Sequence, residues 1–215
     1  MIKHHAFTPA RYHLGDLINI IQQCVKMKKA ILGSTHTCNC CGNDVYDSIV
    51  QLLSLLQSNT IAIKENLHPS QTICPSWSRK SFGLPPIKNP DYNKSFMAID
   101  QSSKTSDFFT YQFDARSNAK MKSIDQSEKS RLLESGLNFV DVGEGQSNII
   151  KKFDLINRSV AYIGIDSGMT HLALMTNTPI YLIHPKAYDP LLFYPTTTQI
   201  SAYHQMEDIV KCLQT

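Results

Sequence analysis

Residues 160–185 read VAYIGIDSGMTHLALMTNTPIYLIHP. Val160 to Ile165 is an apolar run with β-branched side chains, short enough for one buried strand. Asp166, Ser167 and Gly168 interrupt it. Met169 to Met175 then has helical spacing, with Leu172 and Met175 on one inner face, until Asn177, Thr178 and Pro179 break the pattern. Ile180 to Ile183 is a second apolar run, closed by His184 and Pro185. Strand, glycine turn, helix, strand is a βαβ unit, which demands a parallel sheet and places the chain in the α/β class.

The chemistry of this unit lies at its first turn. A helix N-terminus presents backbone N–H groups without partners and a partial positive charge, so it favours anions. Gly168 carries no Cβ and lets a ligand approach the backbone. Ser167 adds a hydroxyl, Asp166 can cap the helix or accept from a ligand hydroxyl, and His171 falls within the first helical turn. A phosphate or diphosphate suits such a turn. The competing reading makes Asp166 and Ser167 helix caps and His171 a satisfied polar side chain.

Working outward, Phe108–Phe113 (FFTYQF) alternates and is aromatic-rich, as a strand does. The polar segment Asp114–Lys120 (DARSNAK) follows it. The pattern then predicts a helix over 127–133, a strand over 137–142, a two-glycine loop over 143–147, a helix over 148–157 and a terminal helix over 206–213. Residues 105–215 thus read as a Rossmann-like lobe of about five strands. Upstream, short strands are expected within 4–13, 30–34 and 60–63, with amphipathic helices over 17–29 and 45–57. Gly15 and Asp16 stand at the start of the first helix, where Asp16 reads by default as its N-cap. Residues 68–104 carry five prolines and the single Trp77, an irregular stretch that closes a first lobe spanning 1–104. Trp77, Arg79 and Lys80 could clamp a sugar, although a packing role suits a lone Trp better.

Composition narrows the partners. The chain has 215 residues, 42% hydrophobic and 18% charged, with a net charge of +3, a soluble balance too weakly basic for a nucleic-acid partner. No segment approaches the roughly 20 apolar residues of a membrane span, and the first residues lack the apolar core of a secretion signal. The expected location is the cytoplasm, with peripheral contact at the inner membrane face left open. Cys38, Cys40 and Cys41 cluster near His36, but C-x-C-C spacing is awkward for one tetrahedral ion. A reduced cytosolic loop is the simpler reading, and neither a metal nor a cofactor is expected.

The residues Asp166, Ser167, Gly168, His171, Leu172, Ala173, Pro179 and Pro185 resemble the nucleotide-sugar half of heptosyltransferase-type glycosyltransferases. These enzymes have the GT-B architecture of two Rossmann-like lobes. The family usually has Gly where His184 stands. The resemblance implies two such lobes here, the N-terminal one reduced and the C-terminal one a parallel sheet with flanking helices. It implies inverting, metal-independent transfer of a heptose or related sugar from a nucleotide-sugar donor, most simply an ADP-sugar, to a glycan or lipid-linked saccharide. The segment RYHLGDLINIIQQCVKMKKAILGS resembles the family's opening strand–loop–helix unit and implies a general base at Asp16. Donor binding is implied for Asp166, Ser167, Gly168, Met169 and His171. The loop after the first strand of the nucleotide lobe implies a phosphate grip by Arg116, Ser117 and Lys120, with Arg116 and Lys120 alternatives for the cation. The short first lobe opens two other readings: a partner subunit or homo-oligomer that completes it, and a non-catalytic nucleotide- or phosphosugar-binding module. A metal-dependent interaction protein built on the cysteine loop is a third.

Overall fold

The computed structural model describes residues 5–7, 14, 15, 18, 30–32, 51, 61–63, 106–113, 122, 124–143, 148–186 and 199–215. The chain divides into two compact units, Met1–Ile99 and Asp100–Thr215. In the first, strands β1 (His5–Phe7), β2 (Ala30–Leu32) and β3 (Ile61–Ile63) lie side by side in that order, all parallel. Leu14, Gly15, Ile18 and Gln51 are helical, and Gly15 and Ile18 are buried. Each of the three strands falls within a segment expected to hold a short one.

The second unit holds strands β4 (Phe109–Gln112), β5 (Phe139–Asp141), β6 (Tyr162–Gly164), β7 (Ile180–Ile183) and β8 (Ile200–Tyr203). Its helices are α1 (Gln126–Leu133), α2 (Ile149–Arg158), α3 (Gly168–Leu174) and α4 (Met206–Gln214). The sheet is wholly parallel and runs β5-β4-β6-β7-β8.

Local chemistry explains the helix ends. Asp125 accepts from the Ser127 N–H and Asn148 from the Lys151 N–H, so both helices start on a side-chain cap. After α1 the chain turns at Gly136 with φ of 79°, a left-handed conformation that favours glycine. α4 begins differently. Its first backbone N–H, at Met206, donates to Glu128 Oε2 of α1 at 2.7 Å.

Period-two alternation sorts the strand residues between two faces. Phe109, Tyr111, Ile163, Ile165 and Ile183 form one apolar layer with Leu132 of α1 and Met206 and Ile209 of α4. Thr110, Gln112, Tyr162, Gly164, Ile180 and Leu182 alternate to the opposite face. There Phe153 and Ile156 of α2 and Leu172 of α3 are fully buried. A polar seam ties this side together. Thr110 Oγ1 meets Ser159 Oγ at 3.0 Å, and both Ser159 Oγ and Thr178 Oγ1 donate to the Ile156 carbonyl at 2.8 Å. Among the described residues, no helix is long and apolar enough to cross a membrane.

Candidate active site

The strand order fixes where a ligand can sit. β4 comes first in the second unit; the chain then moves to one side of it for β5 and to the other for β6. Connections leave the carboxyl ends of β4 and β6 in opposite directions and open a crevice between them, the usual ligand position in open parallel sheets. Gln112 ends β4 directly opposite Gly164 of β6. Asp141 ends β5 and Gly143 lies just beyond it, and Asp166 and Ser167 follow β6.

Ser167 is the N-cap residue of α3 by position, but its side chain makes no capping bond. Its hydroxyl instead donates across the crevice to Gln112 Oε1 at 2.8 Å. Gln112 is only 5% exposed. Its stem is confined by Gly143, where a Cβ would come within 2.7 Å of Gln112 Cγ. Gly143 in turn donates its N–H to Asp141 Oδ1 at 2.7 Å. Two turns and one strand end therefore hold one glutamine.

Asp166 has a charged partner. It is 6% exposed and pairs with Lys122 Nζ at 2.5 Å, the lysine being 28% exposed. Thr170, one turn into α3, donates to the Ile165 carbonyl at 2.6 Å and closes the turn from within. His171 is buried beside this pair. Burial lowers its pKa to about 4, with the Lys122 ammonium acting in the same direction and the Asp166 carboxylate against both. It is a neutral imidazole at neutral pH and brings hydrogen-bonding capacity, not charge, to the turn.

Beneath the turn lies Tyr162, fully buried. Its ring lies over Gly164, where any Cβ would overlap the phenol. Among the described residues its hydroxyl is the one buried side-chain polar group without a hydrogen-bond partner. Burial raises its pKa well above the ordinary phenol value, while the neighbouring Thr170 and Ser167 hydroxyls pull the other way. At the ends of β7 and β8, His184 and His204 stack edge to face with ring centroids 4.4 Å apart.

Of the residues singled out in the sequence, Asp166, Ser167, Gly168, Met169 and His171 come together at this turn. Asp16, Arg116, Ser117 and Lys120 lie outside the described residues, as do Cys38, Cys40 and Cys41. Among the described residues no group of three or more His, Cys, Asp or Glu side chains could hold a metal ion. Sequence reasoning missed Lys122, Gln112 and Tyr162. Lys122 carried a signal, as the second lysine of Lys-Met-Lys after the polar loop; Gln112 and Tyr162, strand residues among apolar neighbours, carried none.

No protein-family model matches the chain, and no curated protein matches it in sequence. Solved structures do match in fold. The iron-containing dodecameric glycosyltransferase TibC from enterotoxigenic Escherichia coli superposes with a TM-score of 0.56 at 14% identity, over 93% of this chain and 62% of TibC. A second TibC structure contains ADP-D-β-D-heptose and superposes with a TM-score of 0.55. The ADP-heptose lipopolysaccharide heptosyltransferase II of E. coli gives 0.60 at 10% identity, over 98% of this chain and 97% of that one. The E. coli heptosyltransferase WaaC, solved with ADP, gives 0.54 at 8% identity, over 98% and 99%. The chain spans 62% of the length of TibC. Two parallel-sheet units, a switch-point crevice and these superpositions give the chain the GT-B fold of the heptosyltransferase-type glycosyltransferases.

Proposed function

We propose that the chain is a glycosyltransferase that moves a heptose or related sugar from an ADP-sugar to a hydroxyl of a glycan or lipid-linked saccharide, with inversion and without a metal. The observation that carries the reading is the Lys122–Asp166–Ser167–His171 cluster at the switch point, on a fold shared with proteins solved with ADP and with ADP-heptose.

Inverting transfer needs three services. The donor diphosphate must be held, the acceptor hydroxyl must lose its proton, and the charge that develops on the leaving diphosphate must be neutralised. The turn Asp166–Ser167–Gly168, with Met169 and His171, serves the first. Asp16 serves the second as general base. Lys122 serves the third, alone or with Arg116, Ser117 and Lys120 of the preceding loop. An ammonium already held beside the crevice requires little reorganisation as charge builds up. The acceptor oxygen attacks the anomeric carbon from the side opposite the diphosphate. The bond to the diphosphate breaks with its electron pair on the leaving oxygen, and the acceptor proton passes to Asp16. This work takes place at the inner face of the membrane when the acceptor is lipid-linked.

The span of 62% of TibC favours one second reading, a nucleotide- or phosphosugar-binding module without turnover. Titration with a panel of nucleotide sugars, followed by assay for transfer, separates the two. One donor is expected to bind the native chain, and Ser167→Asp, which sets a carboxylate at the turn, should weaken it at least about 30-fold, some 2 kcal/mol. Asp16→Asn should keep binding and abolish transfer. Binding without turnover in the native chain selects the module, and no binding of any donor rejects both readings.

A further inference from the structure

Lys122, Asp166 and His171 meet at the turn after β6. His171 is a neutral imidazole at neutral pH, because burial holds its pKa at about 4. The Lys122 ammonium and the Asp166 carboxylate cancel each other at 2.5 Å. The three side chains together therefore carry no net charge, whereas a diphosphate brings several negative charges. The turn is also tied across the crevice at a second point, where the Ser167 hydroxyl donates to Gln112 Oε1 of β4. Both bonds run from the turn after β6 to β4 or to the segment that leaves it.

Exposure separates the two members of the ion pair. Asp166 is 6% exposed and Lys122 28%, so an anion arriving from solvent reaches the ammonium and not the carboxylate. A diphosphate set against Lys122 while Asp166 keeps its contact would bring like charges within a few ångströms of each other. Such repulsion is strong where little water screens it. We infer that Asp166 is a stand-in for the diphosphate: it holds Lys122 beside the crevice until the donor's diphosphate displaces it and takes the ammonium over. The inference rests on the donor-site reading above and gives that site its regulation. Lys122 changes partner without leaving the crevice. Asp166 then opposes the binding of a bare diphosphate, the reverse of what a ligand contact or a simple support of Lys122 would do.

The test measures affinities for inorganic pyrophosphate and ADP by calorimetry in the native chain, Asp166→Asn, Lys122→Met and the double variant. Pyrophosphate has neither base nor sugar and reports the phosphate contacts alone. Asp166→Asn should bind both probes about fivefold more tightly than the native chain, the upper end of what a partly exposed ion pair is worth. The gain should vanish when Lys122→Met accompanies it, because no ammonium is left to release. Asp166→Ser repeats the comparison, so that a folding defect in one variant does not decide the result. Weaker or unchanged binding in both Asp166 variants would make Asp166 a ligand contact or a support of Lys122 and would overturn the exchange. An equal gain in the presence of Lys122→Met would reduce the effect to repulsion by the carboxylate and would overturn it as well. Failure of the native chain and of every variant to bind ADP would instead overturn the donor-site reading, and the exchange with it.

Discussion

At the scale of single residues, the Lys122–Asp166 pair lets the proposed donor site be tested through stability and binding together. Asp166 is buried, and removing the Lys122 ammonium takes a charge partner from a carboxylate held away from water. Lys122→Met should cost about 2 kcal/mol, below the usual range for a fully buried pair because the lysine is partly exposed. Adding Asp166→Asn should return most of that stability and none of the nucleotide affinity, as urea denaturation and titration would show. Recovery of affinity in the double variant would take Lys122 out of the donor site. His171 carries a pH dependence. Its pKa is about 4 in the fold against 6.5 for an unperturbed imidazole, because burial penalises the charged form. Between those values the unfolded chain binds more protons than the folded one. Stability is therefore fully present above pH 6.5 and is lost as pH falls to about 4, by about 3 kcal/mol. In His171→Gln this slope should flatten over the same window in denaturation series; an unchanged slope would mean that other groups set it.

At the scale of elements, most starts and stops were legible and most partnerships were not. The helices begin where Asp125 and Asn148 can cap, and α1 ends where Gly136 takes a positive φ; these are local devices written in neighbouring residues. The βαβ unit of residues 160–185 formed as its apolar runs and Asp-Ser-Gly break required. The reading of Ser167 as a plain cap failed, because its hydroxyl goes to β4, and Asp166 takes a charged partner from the segment after β4. Those contacts depend on which strand lies beside β6, and no local pattern states that. Helix α4 shows the same limit. Its sequence lacks a capping side chain at Gln205, and the cap comes from Glu128, 78 residues earlier. Glu128→Ala should remove about 1 kcal/mol by leaving the Met206 N–H unpaired, with equilibrium unfolding as the check. Gln199 works likewise at the other end of α3, donating to the carbonyls of Ala173, Thr176 and Thr178.

At the scale of the whole molecule, the sheet order explains both the site and what the sequence concealed. Alternating strands and helices announced a parallel sheet, but the order β5-β4-β6-β7-β8 brings together residues 55 apart in the chain. The same order has a consequence in time. β4 is made early in its unit, and its partner on the crevice side, β6, lies about 50 residues downstream. At ordinary rates of synthesis the ribosome needs roughly 3–10 s to cover that distance. For that interval one edge of β4, an aromatic strand, has no native neighbour, although β5 is already available for the other. The nascent chain thus passes through a stage with an adhesive central strand, and its yield during synthesis should respond to chaperone supply more than the finished fold would suggest.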